Sequence, residues 1–493
     1  MDATEERRAK LERLRAAGQD PYPAGTTLPG RRPVAEWLAA CDPDAPQRAT
    51  VTVAGRIMAR RDHGNSQFLD LRDASGRVQA YLQKKALGEG PWAALGAALD
   101  LGDVVAVRGE LGRTRLGEVT VFAAQVELLA KALRQPPSEW FGLQDQELRY
   151  RQRHVDLQVN APSFARFAAR SRMVDELRRW LQERGFLEVE TPLLHAIAGG
   201  ATARPFITHH NTLDIDLYLR IAPELFLKRL LVGGFERVFE IGRNFRNEGL
   251  SPRHNPEFTM LEAYWAYARA ADWMAALEEL LPRLVERCAS DPQGRPAPGA
   301  HKLWRGEQVL DFTPPFPRGK YVELIQRHAG VDVMDPAELR RARQRPGVPA
   351  DATDEALVDH LFSTCVEPAL DPARPTFVTD FPVSMSPLAK ASPDDPRVAE
   401  RFELFVAGME VSNAFSELND PLEQLRRFEE QVARKDPELP AAVDHDYVEA
   451  LAHGMPPAAG IGIGVDRLAM LLTGAETIRD VILFPLLRPQ AGG

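Results

Sequence analysis

The stretch Arg243-Asn-Phe-Arg-Asn-Glu248, the loop from Gly249 to Pro256, and Glu257-Phe-Thr-Met-Leu-Glu-Ala-Tyr264 together decide the fold class of this chain. Two β-like runs flank a loop carrying Gly249, Pro252, Arg253, His254 and Asn255, a pattern that predicts an antiparallel strand pair. Strand side chains alternate between faces, so Arg246 and Glu248 are expected on one face, and Phe258, Met260, Glu262 and Tyr264 on one face of the partner. An arginine suited to a phosphate or carboxylate, a ring suited to stacking and two acids would meet there. Taken alone, the same pattern also fits a strand pair decorated with surface salt bridges, each worth little.

Working outward, a second cluster is Arg401-Phe-Glu-Leu-Phe405 with Gly408-Met-Glu-Val-Ser-Asn-Ala-Phe-Ser-Glu-Leu-Asn-Asp420. Glu403 and Glu410 suit a hard divalent cation, which prefers carboxylate and phosphate oxygens. Asn413, Phe415 and Glu417 share a face by period two, but Glu410 has the opposite parity. A β-bulge between 410 and 413 is needed to bring all four to one side. The bland alternative is a row of solvent-facing acids on an edge strand. A third piece is Gly460-Ile-Gly-Ile-Gly464-Val-Asp-Arg467 ahead of an apolar helix. A lone Gly-x-Gly-x-Gly is weak, and a dinucleotide fingerprint is its rival; that fingerprint needs an early strand and a later acidic residue, and this run sits near the C-terminus. Glycines on one strand face leave a flat floor for a planar group. A fourth piece joins Glu190-Thr-Pro192, Gly199-Gly200 and Arg220-Ile-Ala-Pro-Glu-Leu225, where Glu224 opens a helix; an acid is favourable there for structural reasons alone.

Upstream, the pattern changes. Short β-like runs at Val51–Ile57, Gln67–Arg72, Arg77–Leu82, Val104–Gly109 and Glu118–Phe122, with an Asp73–Gly76 turn, predict a small closed barrel of the OB-fold type. The first residues, Thr4 to Gly18, have helical composition and fit a solvated terminal helix or an RNA-contacting arm equally well. Pro136 and Pro137 mark a linker. Beyond it, Phe164–Glu183 reads as an amphipathic helix, and strands fit Leu187–Pro192, Arg237–Arg246, Phe258–Tyr264, Arg401–Phe415 and Gly460–Val465. The expected layout is a helical extension over 1–49, the barrel over 50–135 and a linker over 136–155. An α+β domain, a mainly antiparallel sheet flanked by helices, follows over 156–493 with a helical insertion around 268–375.

With 493 residues the chain exceeds the length at which one hydrophobic core stops growing, in keeping with two or more domains. Its net charge of −9 neither supports nor opposes nucleic-acid binding, which needs local rather than global positive charge. Cys41, Cys288 and Cys365 are far apart and form no Cys-x-x-Cys pair, which argues against a zinc ribbon or disulfide framework. The N-terminal stretch lacks the apolar core of a signal peptide, and no apolar run is long enough to span a bilayer. A cytoplasmic protein with no membrane association is expected.

In this order the segments resemble the three signature motifs of class II aminoacyl-tRNA synthetases. Gly185-Phe-Leu-Glu-Val-Glu-Thr-Pro192 resembles motif 1, Phe245-Arg-Asn-Glu248 with the loop to Phe258 resembles motif 2, and Gly460 to Arg467 resembles motif 3. The class I signatures and a Walker A loop are absent from the sequence. From the N-terminal helix to Arg488 the chain is similar to the bacterial lysine enzymes, notably at Gly199–His210, Leu219–Phe235, Phe415–Asp420 and Thr477–Pro485. Aspartate enzymes typically carry a Gln-Ser-Pro-Gln-like segment where this chain has Ala222-Pro-Glu-Leu225.

The resemblance implies a homodimer formed through motif 1, with ATP, lysine and tRNA(Lys) as substrates and Mg2+ held by Glu403 and Glu410. It implies that Arg246 and Arg467 are catalytic, and that Glu248, His254, Asn255, Phe258 and Gly464 join them at the nucleotide. Gly200, Glu224, Glu262, Tyr264, Asn413, Phe415 and Glu417, with Arg246, would hold lysine. Phe68, Gln79 and Glu118 of the barrel would read the anticodon. Three acids in one pocket favour a substrate with two ammonium groups and disfavour an aspartate side chain. An aspartate or asparagine enzyme of the same subclass, and a paralogue that transfers an amino acid to a protein, are the alternatives; relatives of the second kind usually lack the barrel.

Overall fold

The structure is a computed structural model that describes residues 3–24, 28–96, 98–137, 142–291, 295, 297–348, 352–434, 439 and 442–490. The chain divides into two compact units, Met1–Asn160 and Ala161–Gly493.

In the first unit the period-two runs form β1 (Thr50–Asp62), β2 (Ser66–Arg72), β3 (Arg77–Gln83), β4 (Val104–Arg113) and β5 (Val119–Ala130). They close into a barrel of order β1-β2-β3-β5-β4, the OB-fold arrangement expected from the sequence. The β2–β3 turn is held by Asp73, whose Oδ1 accepts the backbone N–H groups of Ser75 and Gly76. Inward residues such as Leu69, Leu71, Val105 and Val121 are buried. The first helix, α1 (Ala3–Ala16), is not a wholly solvated terminal helix: Leu11 and Leu14 are buried, and Arg7 donates to the carbonyl oxygens of Leu101 and Ala132. The expected linker at 136–155 falls partly on residues 138–141, outside the described residues, and its remainder includes a short helix, Gln146–Arg151.

The second unit is built on an eight-stranded sheet. In chain order its strands are β6 (Leu187–Glu188), β7 (Arg237–Phe245), β8 (Glu257–Ala266), β9 (Arg318–Lys320), β10 (Thr376–Thr379), β11 (Arg401–Val406), β12 (Met409–Ser416) and β13 (Ala458–Gly464). Their order across the sheet is β9-β10-β11-β12-β13-β8-β7-β6. Only the two outermost pairs are parallel. One face is sealed by α2 (Ala161–Gln182), α4 (Ala270–Cys288) and α6 (Val465–Leu472). On α2, Met173, Leu177, Trp180 and Leu181 recur at helical spacing and are buried against Leu261, Ala263, Ala414, Ile461 and Ile463. The opposite parity of the same strands faces away from this core, towards α3 (Glu224–Val232).

Four expectations are corrected. Arg401–Phe415 is a hairpin, turned by Ala407 (φ 51°) and Gly408 (φ 69°), the paired left-handed residues that match strand twist. Leu187–Pro192 is extended only at its first two residues in the sheet. Strand β7 stops at Phe245, so Arg246 and Glu248 lie in the loop that follows. The stretch 268–375 is not a purely helical insertion: α4 packs in the main core, and the stretch also contributes β9 and a separate hairpin, Lys302–Arg305 with Gln308–Asp311.

Candidate active site

The face of the sheet opposite the core carries a cavity of about 400 Å³. Its floor follows from strand register. Tyr264, Gly460 and Phe415 lie side by side on β8, β13 and β12, and Glu262, Gly462 and Asn413 form the next row. The glycines are required by the neighbours: a Cβ at Gly460 would come within 2.2 Å of Glu417 Oε1 and 2.5 Å of the Tyr264 ring. The glycine floor thus lies under the acids as well as under any planar group. The bulge demanded by parity is present: Leu404 pairs with Ser412 and Phe405 with Glu410, leaving Val411 as the extra residue on β12. Glu403, Glu410, Asn413 and Phe415 all line the cavity as a result.

At one end stand three buried carboxylates. Glu262, Glu417 and Glu224 come from β8, the end of β12 and the first turn of α3. Burial pushes Glu262 up to about 8, helped by the charge of Glu224, while Tyr264 Oη donates to its Oε2 at 3.2 Å. Burial likewise lifts Glu417 to about 8 against the pull of Lys228, and raises Glu224. Gly200, at φ 87°, packs against Glu224 so closely that a Cβ would be 3.1 Å from the glutamate Cβ.

At the other end the groups are mainly basic. The Arg246 guanidinium sits 5.1 Å from the centroid of the Phe258 ring. Arg467 donates through Nη1 to the Glu410 carbonyl oxygen (2.8 Å) and Oε2 (3.2 Å). Its Nη2 reaches His254 Nε2 at 3.1 Å, while His254 Nδ1 lies 2.8 Å from Ser251 Oγ. Burial and the adjacent Arg467 lower the His254 pKa, so the neutral ring accepts at Nε2 and donates from Nδ1. Asn255 donates from Nδ2 to the Glu257 carbonyl oxygen at 2.6 Å and so staples the loop to β8. Glu248 is exposed on the cavity lining, and Gly464 begins α6 beside Arg467.

Glu403 is half-buried and pushed up to about 8, first by desolvation and then by the charge of Glu410, against its 2.5 Å pair with Arg401. Two carboxylates that repel one another beside a lined cavity suit a divalent cation. Among the described residues no cluster of three or more His, Cys, Asp or Glu could hold a metal, so further ligands would be phosphate or water oxygens, as magnesium prefers.

Arg246, Arg467 and Glu410 therefore share one cavity with every other site residue expected beyond the barrel except Glu417, which is fully buried beside Gly460 and does not reach the lining. Several were missed. Arg401 donates to Asn413 Oδ1 (3.0 Å) as well as to Glu403. Asp466 accepts the Thr259 N–H (2.7 Å) and Arg170 (2.5 Å), fixing Phe258 and Arg467 relative to one another. Arg220 and Glu240 form a buried pair (2.5 Å) beneath Gly242, tied to Thr191 of the Glu190-Thr-Pro192 segment. Lys228, four residues after Glu224, bridges two of the acids. Period two marks Arg401 beside Glu403, and the i,i+4 spacing marks Lys228 beside Glu224.

On the barrel, Phe68 points outward between the inward Gln67 and Leu69. It stacks on Tyr81 (centroids 4.6 Å, 30°), and Tyr81 meets Phe122 edge-on at 5.9 Å. Thr120 Oγ1 donates to Gln79 Oε1 at 2.9 Å, and Glu118 is exposed beside that strand.

Comparison with known proteins agrees with this construction. The family described as tRNA synthetases class II (D, K and N) matches residues 145–488, and the OB-fold nucleic acid binding domain matches 51–129. The chain belongs to the class II tRNA synthetases. It is 47% identical to the lysine--tRNA ligase of Dehalococcoides mccartyi, over 98% of this chain and 96% of that protein. The lysine--tRNA ligase of Pelotomaculum thermopropionicum is 47% identical over 98% and 94% of the two chains, and that of Carboxydothermus hydrogenoformans 50% over 90% and 89%. ATP-dependent chemistry comes with this family.

The raised carboxyls have a consequence for stability. Glu262 ionises at about 8 in the folded chain and near 4.5 as a free side chain, so the folded state is favoured fully below the lower value. That advantage is lost as pH rises towards 8. Glu262→Gln does not titrate, so its melting temperature should gain on the wild type, by several degrees in all, between roughly pH 5 and 8.5. Parallel melting curves across that range would contradict the assignment.

Proposed function

We infer that the chain is a lysine--tRNA ligase, which activates lysine with ATP and transfers it to the 3′-terminal adenosine of tRNA(Lys). The observation that carries the specificity is the cluster of buried acids at one end of the cavity, Glu224 and Glu262 on its lining and Glu417 beside Gly460. An ammonium group compensates a buried carboxylate, whereas a second carboxylate there meets like charge.

In the reading we favour, Glu224 and the Gly200 carbonyl take the α-amino group. Glu417, Glu262 and Tyr264 take the ε-ammonium, and Phe415 packs on the aliphatic stem. Asn413 and Arg246 orient the carboxylate. One carboxylate oxygen attacks the α-phosphorus of ATP; the bond to the β-phosphate oxygen breaks, giving lysyl-adenylate and pyrophosphate. The nucleophile is already ionised, so no general base is needed, and catalysis is positioning plus charge stabilisation. Arg246 bridges carboxylate and α-phosphate, Phe258 stacks one side of the adenine, and Arg467 lies on the other side near the γ-phosphate. Glu248, His254, Asn255 and Gly464 complete the nucleotide site. Magnesium, held by Glu403 and Glu410, would neutralise charge on the departing pyrophosphate. In the second step the 3′-hydroxyl attacks the adenylate carbonyl and releases AMP.

Two further assignments rest on surfaces. Phe68, Gln79 and Glu118 would read the anticodon, because unpaired bases are recognised by stacking plus hydrogen bonds to their edges. A homodimer through the motif 1 segment is supported by exposed Leu187, Leu193 and Leu194, and by Ile207 and Ile215 on the adjoining three-stranded sheet. No helix among the described residues is long and apolar enough to cross a membrane. Cys41, Cys288 and Cys365 are free thiols, which suits the cytoplasm to which we assign the enzyme.

Pyrophosphate exchange should respond to lysine and hardly to aspartate; the reverse would sink the specificity. Glu417→Gln should raise the KM for lysine roughly 100-fold, in line with the ~3 kcal/mol cost of unpairing a buried charge, while the KM for ATP stays nearly constant. Phe68→Ala should weaken tRNA charging by the ~1–3 kcal/mol of one base stack and leave exchange untouched; a fall in exchange would refute the barrel's role. Ile207→Glu should yield monomers in sedimentation if this face is the dimer surface.

A further inference from the structure

The acid cluster contains a resident cation that the reaction scheme does not use. Lys228 is fully buried one turn along α3 from Glu224, with Nζ 2.5 Å from Glu224 Oε1 and 2.5 Å from Glu417 Oε2. The same nitrogen lies 5.3 Å from the centroid of the Phe415 ring. Burial alone would lower the ammonium's pKa, but Glu224 and Glu417 outweigh it and raise it above the usual lysine value. The remaining polar neighbours are Tyr447 beside Lys228, Tyr264 and Glu262 across the floor, and Arg401 near Glu224.

Packing alone does not account for this cation. The rest of the inward face of α3 is apolar, with Leu225, Leu227 and Leu231 buried, and a buried ion pair is often matched or bettered by hydrophobic residues of similar volume. Charge is where Lys228 differs from its neighbours. Three acids cluster at this end of the cavity; with all three ionised, one fixed ammonium leaves two negative charges, the complement of a ligand with two ammonium groups. Orientation follows as well. Glu417 places Oε2 2.5 Å from Lys228 Nζ as an ion pair and Oε1 beside Gly460, and neither buried oxygen has a geometrically formed hydrogen bond among the described residues.

We propose that Lys228 is a positioning residue that sets substrate specificity: by compensating one of three acids and anchoring Glu224 and Glu417, it fixes the pocket's demand at two cationic groups. This rests on lysine being the substrate. Without Lys228 the three acids crowd one another and the pocket relieves the repulsion by taking up protons, which removes the acceptors that the substrate needs.

The test uses the full-length chain with Lys228→Met and Lys228→Arg. Lysine-dependent pyrophosphate exchange is followed from roughly pH 6.5 to 9, with KM for lysine and for ATP determined separately. Lys228→Met should raise the KM for lysine roughly 30-fold or more near neutral pH, the scale of truncating one partner of a buried charge pair. The deficit should shrink as pH rises, the KM for ATP should stay within about twofold, and Lys228→Arg should recover the wild-type pH profile. An unchanged lysine KM and profile, or lysine and ATP KM values rising together, would overturn the proposal. If Lys228→Met is not recovered folded, Lys228→Gln carries the same expectation; failure of both to fold would overturn it in favour of a purely structural role. A wild type whose exchange ignores lysine would sink the substrate reading along with the proposal, whereas a responsive wild type matched by the variant sinks the proposal alone.

Discussion

The side-chain-free face of β13 is the constraint on which the second unit depends. Gly460, Gly462 and Gly464 leave β13 bare on the cavity side, while Ile461 and Ile463 between them are locked into the core. Strands β8 and β12 are thereby held at ordinary sheet spacing, yet their inward-leaning side chains, Tyr264 and Glu262 on one and Phe415 and Asn413 on the other, have room above the strand they share. A side chain at Gly460 would collide with Glu417 and Tyr264 together. Shape and charge of the cavity thus derive from one repeated absence of a Cβ.

Placing so many ionisable groups on a dry sheet face carries an electrostatic cost that the fold leaves partly uncompensated. At the basic end the compensation is mutual: Arg467 is shared between Glu410 and a neutral His254, and Asp466 is neutralised by Arg170. At the acidic end one ammonium serves two carboxylates, and Glu262 accepts from the hydroxyl of Tyr264. Sites whose groups are displaced far from their ordinary ionisation are where ligands gain most from binding, because the ligand completes a compensation that the protein lacks.

Much of this was legible in the residues because strand periodicity is rigid. Period two put Phe258, Met260, Glu262 and Tyr264 on one face and required a bulge between Glu410 and Asn413, which the structure supplies at Val411. The same rule overreached where chain direction changes: Arg246 looked like a strand residue because nothing in Phe245-Arg-Asn-Glu248 marks the last ladder hydrogen bond, and the turn at Ala407–Gly408 was hidden because Ala407 carries a Cβ at positive φ. The outward setting of Phe68, between the inward Gln67 and Leu69, is decided by closure of the barrel. Lys228, Arg220 and Arg401 escaped notice for a further reason. Arg401 and Lys228 each have one acid within a local window, Glu403 and Glu224, but their roles depend on partners distant in sequence, Asn413 for Arg401 and Glu417 for Lys228, and Arg220 has only distant ones among the described residues, Thr191 and Glu240.

The position of β13 in the chain has a bearing on biosynthesis. It is the last strand of this sheet in chain order, beginning at Ala458, yet it lies in the middle of the sheet between β12 and β8. Until it leaves the ribosome, those two strands present unpaired backbone edges to one another and to any other extended chain nearby. A polypeptide cut short before Ala458 is left with a sheet split in two rather than one trimmed at its rim. Premature termination before this point therefore removes the glycine floor and Arg467 together with the strand that joins the two halves of the sheet.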